Sequence, residues 1–235
     1  MPVKVNNSLR MLQRWLWPRN CLLCTSAAHT NQDLCSPCAA SLPRPANACP
    51  CCAAKSSDPG IPCGECQKRP PHYAFARAAF VYASPIDRLV QNLKYHQRLE
   101  LSRVLGGYLA NAVTSFGDEL PDVVVPVPLH PSRLRERGFN QSLEIARFVA
   151  DTHRLPLDYR HVRRIRPTAP QTELPRAQRR KNVHGAFETD KNVFAGKRVA
   201  IVDDVMTSGH TANALASTLL RNGAVEVRVW VVARA

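Results

Sequence analysis

The sequence predicts an α/β protein, a parallel β-sheet flanked by helices and preceded by a small cysteine-rich module. Three observations carry this. All nine cysteines fall between positions 21 and 66. From about Tyr73 onward, β-branched apolar runs alternate with segments of helical period, the pattern of strand–helix–strand units. The length of 235 residues accommodates one sheet domain with a sizeable core and one small appendage.

The cysteines define the appendage. Cys21, Cys24, Cys35 and Cys38 read C-x2-C-x10-C-x2-C, and Cys49, Cys52, Cys63 and Cys66 repeat that spacing 28 residues later. Two thiolates three positions apart sit on one tight knuckle and grip a metal from adjacent corners. Two knuckles complete a tetrahedron, which zinc accepts without electronic preference. The stretch "SLRMLQRWLWPRN" lacks a small-residue cleavage site, which argues against a secretory signal. A cytoplasmic chain is therefore expected, where disulfides do not persist; disulfides and an iron–sulfur cluster are the alternatives to zinc. Core arithmetic agrees. Between Pro18 and Pro71 the only Leu, Ile, Val, Phe or Met residues are Leu22, Leu23, Leu34, Leu42 and Ile61. That is too little to offset chain entropy, whereas a structural zinc supplies roughly 10–16 kcal/mol of apparent binding free energy in small modules. Residues 18–71 are expected to fold around metal, after an amphipathic segment over 1–17. Cys51 is left over, and "CPCC" also permits Cys49 with Cys51. The spacing is compatible with sequential or interleaved pairing of the four knuckles, and with one or two zinc ions.

Residues 73–235 read as the sheet domain. "RAAFVYAS" is a strand pattern. "SPIDRLVQNLKYHQ" reads as a helix with Ser84 as N-cap and Pro85 at its first position. "LSRVLGGYLANAVTSF" continues as a second helix, "DVVVPVPLH" is a strand stopped by prolines, "NQSLEIARFVADTH" a helix and "HVRRIR" a short strand. "GKRVAIVDDV" is a buried strand, "TANALASTLLRNG" a helix ended by Gly223, and "VEVRVWVVARA" a last strand. Parallel sheets of this kind place their sites at the carboxyl ends of strands.

One such end is "VAIVDDVMTSGHT" at 199–211. The strand is expected to finish at 202, with Asp203 and Asp204 at its tip and the next helix starting near Thr211. A loop of small residues at a helix N-terminus presents N–H groups and partial positive charge to a phosphate. Thr207, Ser208 and Thr211 add hydroxyls, and Gly209 permits close backbone approach. Two adjacent carboxylates accept hydrogen bonds from two vicinal ribose hydroxyls and can help hold Mg²⁺ through water. The constellation fits a ribose 5-phosphate that carries more phosphate.

At this point the residues resemble a known pattern. "VAIVDDVMTSGHT" is similar to the phosphoribosyl-pyrophosphate (PRPP) signature of type I phosphoribosyltransferases. Together with "LVQNLKYH", "VVPVPLHPSRLRERGFNQSLEIAR", "PQTELPRAQRRKNVHGAF" and the double cysteine module, it resembles the ComF family over nearly the whole chain. The resemblance implies a type I phosphoribosyltransferase-like sheet behind a double zinc ribbon. It makes Asp203 and Asp204 the catalytic carboxylates over the ribose, and Thr207, Ser208, Gly209, His210 and Thr211 the cradle of the 5-phosphate. The "VPVPLHPSR" turn would approach the pyrophosphate, with Arg133, Arg135 or Arg137 countering its charge. Residues 166–186, with Gln171, Arg176, Arg180 and Asn182, resemble the hood that closes on the reaction.

Net charge is +14, and between Pro126 and Gly185 there are 13 Lys or Arg against five Asp or Glu. Such an excess points to a polyanionic partner, whereas no apolar run approaches the ~20 residues of a membrane span. The function implied is a PRPP-binding phosphoribosyltransferase-like protein with Zn²⁺ and Mg²⁺, transferring a pentosyl group to an open acceptor, in DNA uptake or utilisation. The alternatives are a non-catalytic PRPP-gated protein and a single-stranded-DNA-binding protein with an inherited phosphate site. Implied partners are PRPP, single-stranded DNA, and other DNA-uptake or recombination proteins.

Overall fold

The computed structural model describes residues 20–28, 33–167 and 185–235. The amphipathic segment expected over 1–17, and Gln171, Arg176, Arg180 and Asn182 of the expected hood, lie outside the described residues. The chain divides into two compact units, Met1–Leu42 and Pro43–Ala235.

The 28-residue cysteine repeat is also a structural repeat, with one copy in each unit. In the first copy, Asn20 bridges Ala27 antiparallel, the Cys21 N–H donates to Ser26 O at 2.7 Å, Thr25 has φ +64°, and helix α1 spans Ser36–Ala40. In the second, Ala48 bridges Lys55, the Cys49 N–H donates to Ala54 O at 2.7 Å, Ala53 has φ +55°, and helix α2 spans Gly64–Lys68. Each feature recurs at the same offset, so the spacing of thiols and the turn that brings them together are one property. The second copy shares its compact unit with the sheet.

The sheet has four parallel strands: β1 (Ala76–Val81), β2 (Val123–Pro126), β5 (Arg198–Met206) and β6 (Glu226–Arg234), in the order β1-β6-β5-β2. Between β1 and β2 run helices α3 (Ile86–Tyr95) and α4 (Glu100–Phe116); after β2 come α5 (Pro131–Arg137) and α6 (Gln141–His153). Strands β3 (Val162–Arg164) and β4 (Phe187–Thr189) precede β5, and α7 (His210–Arg221) joins β5 to β6. The central strands β5 and β6 are apolar nearly throughout, as parallel strands covered on both faces must be. One face is fixed by period: Val199 and Ile201 of β5, Val227, Val229 and Val231 of β6, and Val123 and Val125 of β2 share a core with Ala212, Leu215, Ala216 and Leu219 of α7. Those four helix residues keep the spacing of a single stripe.

Helices α4 and α6 pack tightly on each other. A Cβ on Gly106 would stand 2.8 Å from Phe148 Cβ and 3.0 Å from Ile145 O, so glycine is the residue that permits the crossing. His153 Nε2 meets Ala110 O at 3.0 Å along the same contact. This packing fixes where the N-terminus of α6 lies, which matters for the site.

Four expectations are corrected. Strand β5 does not finish at Val202; it runs on to Met206, because β6 continues beside it with Asp203 opposite Val231 and Met206 opposite Arg234. Only β2 stops early, at Pro126 opposite Val202. Ser84 is not an N-cap: Pro85 occupies that position and no side chain caps the helix. The "HVRRIR" strand, β3, pairs antiparallel with β4 outside the main sheet. Residues 131–137 are a helix, not only a turn. His130 caps it by accepting from the Ser132 N–H, Pro131 opens it, and Gly138 at φ +81° closes it.

Candidate functional site

The eight repeat cysteines form two separate four-thiol groups, Cys21/Cys24/Cys35/Cys38 and Cys49/Cys52/Cys63/Cys66, each with its sulfurs within 4.8 Å of one another. Pairing is therefore sequential, and Cys51 belongs to neither group. Zn–S bonds of about 2.3 Å in a tetrahedron put sulfurs about 3.8 Å apart; Cys24 and Cys35 lie at 3.5 Å, Cys52 and Cys63 at 3.7 Å. The donor sets fit structural zinc. Burial of Cys49 favours its neutral thiol, yet backbone N–H groups of Cys63, Cys52 and Cys51 pull its pKa down to about 6, toward the thiolate that binds metal.

A second feature is a pocket of about 340 Å³ where β5 extends beyond β2. Its lining includes Asp203 and Asp204 of β5, Thr207 of the loop after it, Thr211 of α7, Arg133 and Arg137 of α5, Gln141 and Ser142 of α6, Lys94 and Tyr95 of α3, and Arg164 of β3. Asn140 aligns the start of α6 with it, accepting from the Ser142 N–H at 3.0 Å and donating to Val127 O at 3.0 Å.

The two carboxylates are held differently. Asp203 Oδ1 accepts from Ser142 Oγ at 2.8 Å and from the Asp204 N–H at 2.9 Å. Asp204, 3% exposed, accepts from Gln141 Nε2 at 3.3 Å and is ion-paired through Oδ2 with Lys94 Nζ. Gln141 in turn accepts from Arg137 Nη1 at 2.6 Å, and the Arg137 guanidinium lies 5.6 Å over the Tyr95 ring.

Their titrations are driven apart. Burial and the charge of Asp204 raise the Asp203 carboxyl to about 7, against the pull of Lys94 and Ser142. Burial also works to raise Asp204, but the Lys94 charge and the hydrogen bonds around it hold Asp204 below the ordinary range. Burial works against the charge of Lys94, and Asp204 overrides it, so Lys94 titrates above its usual value. Burial lowers Arg164, with Asp203 opposing and Arg133 adding to the effect. At neutral pH one carboxylate is firmly ionised and the other is poised.

The structure brings Asp203, Asp204, Thr207, Thr211, Arg133 and Arg137 to one pocket. Arg135 is exposed and outside that lining; on a helix, positions 133 and 137 are neighbours and 135 is not. Ser208, Gly209 and His210 line a different cavity, together with Thr207, and Ser208 Oγ meets His210 Nδ1 at 3.0 Å. Sequence reasoning missed Lys94, Gln141, Ser142 and Arg164. Lys94 had a signal: it follows Val90 by four in a helix whose buried stripe is Ile86, Leu89, Val90 and Leu93, and a cation on an apolar stripe needs a partner.

Comparison with known proteins matches residues 12–67 to a double zinc ribbon domain and residues 137–235 to a phosphoribosyl transferase domain. The DNA utilization protein YhgH of Salmonella typhimurium is 36% identical over 222 residues, covering 92% of this chain and 97% of that protein. Competence protein F of Haemophilus influenzae is 34% identical over 179 residues, covering 74% of this chain and 78% of that protein. Among solved structures, the glutamine PRPP amidotransferase of B. subtilis aligns at TM-score 0.42 and 22% identity, over 60% of this chain and 30% of that one. Among the described residues, no helix is long and apolar enough to cross a membrane. With both domains matched in order and the YhgH relative spanned almost end to end, the chain belongs to the ComF family of double-zinc-ribbon, phosphoribosyltransferase-domain proteins.

Proposed function

We propose that the pocket at the end of β5 binds PRPP and that the protein acts in the uptake or utilisation of DNA. One observation carries the ligand: carboxylates from β5, guanidinium groups from α5, and Thr207 and Thr211 at either end of the loop that opens α7 converge on a single recess. The ribose hydroxyls lie against Asp203 and Asp204, the 5-phosphate on the loop that opens α7, and the pyrophosphate against Arg133 and Arg137. Mg²⁺, held through water by the carboxylates, would neutralise the pyrophosphate as its charge develops. Arg133, Arg137, Arg164 and Lys94 supply fixed positive charge on the same ligand. In the transfer, a nucleophile forms a bond to C1 of the ribose while the C1–O bond to pyrophosphate breaks, and the electron pair leaves with pyrophosphate. The role in DNA use rests on the names of the DNA utilization and competence relatives.

A second reading, a non-catalytic protein that binds single-stranded DNA when PRPP is present, is favoured by the excess of 13 basic over five acidic residues between 126 and 185. Pyrophosphate release, measured with PRPP and Mg²⁺ across candidate acceptors with and without single-stranded DNA, separates the two. Transfer predicts stoichiometric pyrophosphate with one acceptor. The gated reading predicts none, with DNA affinity that depends on PRPP and falls steeply with salt. Calorimetric titration tests the site itself: Asp203→Asn and Asp204→Asn should each weaken PRPP about ten- to a hundredfold. Equal affinity in all three proteins would remove the assignment.

A further inference from the structure

We infer that the second four-cysteine site positions the phosphate loop, and that Arg234 is the positioning residue between them. Arg234 closes β6, and its side chain gathers backbone carbonyls from three places, one of them the adjacent Ala235 O. Nε donates to the carbonyl of Cys52, a member of the second thiol group, at 2.9 Å. Nη1 donates to Met206 O at 3.1 Å and to Thr207 O, the two residues where β5 turns into the loop. A planar guanidinium holds such acceptors in fixed relative positions, which a lysine on a flexible stem does not.

Two further ties run in parallel. The His72 N–H donates to Asn213 Oδ1 in the first turn of α7 at 2.6 Å. Tyr73, buried in the sheet core, lies close under Gly209: a Cβ there would stand 3.3 Å from its hydroxyl oxygen, and Gly209 has φ +75°. The segment from Cys52 to Tyr73 is thus tied to the loop before its glycine through Arg234, at the glycine through Tyr73, and after it, in α7, through His72. A cavity of about 800 Å³ lies between, lined by Cys52, Cys63 and Cys66 on one side and Thr207, Ser208 and His210 on the other. The cavity thus adjoins both the thiol group and the loop.

Metal in the second site fixes the Cys52 carbonyl, that carbonyl orients Arg234, and Arg234 holds the Thr207 carbonyl and shares the Met206 carbonyl with the Ala235 N–H. Linkage then requires reciprocity: whatever binds the loop must tighten the second zinc by the same factor that zinc tightens the ligand. This rests on the proposal that the loop binds the 5-phosphate of PRPP.

The test uses the full, zinc-loaded chain. Zinc release to a chromophoric chelator selective over magnesium is followed with and without PRPP and Mg²⁺, alongside amide exchange of Met206–Thr211. In the wild type, PRPP should slow the loss of one of two zinc ions at least fivefold and leave the other as an internal control. Arg234→Met should keep both zinc ions, lose that protection, and exchange the loop amides at least tenfold faster; Arg234→Lys should restore little of either. Folded, zinc-loaded Arg234→Met with loop exchange within twofold of wild type would overturn the inference. If wild type binds no PRPP, the functional reading fails and the exchange comparison alone decides this one. If Arg234→Met does not fold, exchange in wild type stripped of its second zinc, or in Cys66→Ser, decides in the same way.

Discussion

Lys94, on the helix after the first strand, is ion-paired with Asp204 on the fifth. The pair ties α3 to the centre of the sheet at the mouth of the pocket. Asp204 has a second partner in Gln141, and Gln141 a second in Arg137. Four elements are thereby linked through side chains alone, and each link ends on a residue of the pocket lining.

Lys94→Met leaves a buried carboxylate without its cation, which costs about 3–5 kcal/mol in comparable sites. Urea unfolding should show a loss of that order. Lys94→Met combined with Asp204→Asn should recover much of it, since the uncompensated charge is then gone. A loss below about 1 kcal/mol in the single variant would mean that the pair is not formed in solution.

Asp203 makes stability depend on pH. Its folded pKa is raised to about 7, above the unfolded value of about 3.9. The contribution is fully present below the unfolded value and is lost as pH rises through about 7. Asp203→Asn removes the titration and keeps an acceptor for Ser142 and the Asp204 N–H. Melting curves should show wild type losing stability relative to Asp203→Asn between about pH 4 and pH 7, by up to about 4 kcal/mol, with a constant gap above. A gap that does not vary with pH would refute the raised pKa.

Metal analysis should find two zinc ions per chain. Cys51→Ser should retain both, since Cys51 stands outside either thiol group, and Cys52→Ser should lose one. The opposite ranking would mean that Cys51 is a ligand.

Arg133→Ala and Arg137→Ala should each weaken PRPP about tenfold or more, by loss of a charge-assisted contact. Arg135→Ala should change affinity less than about threefold, through long-range charge alone. Calorimetry on the three variants checks this; equal losses would return the arginines to a diffuse basic face.

Much of this was legible because it is local. The thiol pairs are three apart, α4 and α6 carry their own period, and the loop after β5 is contiguous. What was not legible depends on partners distant in sequence. Two aspartates after "VAIV" read as a strand end, because the apolar run stops there; β5 continues because β6 does. Strand β4, "FET", is three residues long and carries no period, so β3 was legible but its partner was not. Helix α5 had its signals in Pro131 and Gly138, but the charges of "RLRER" hid a helix with no buried residue. Gln141 and Ser142 read as ordinary helix starters, and the crossing at Gly106 together with the Asn140 bond to Val127 O aims them at β5.

The uneven ends of β2 and β5 give Asp203 a duty apart from any ligand. Val202 still passes its carbonyl to the Val127 N–H at 2.9 Å. Two residues on, the Asp204 N–H faces the same edge, where the neighbouring strand has already stopped at a proline. The Asp203 side chain accepts that N–H instead. One carboxylate oxygen stands in for the next residue of an absent strand, a splint across the step in the lattice. Aspartate and asparagine can both do this and alanine cannot, so Asp203→Ala removes a scaffold bond that Asp203→Asn preserves, and comparing the two variants separates scaffolding from charge.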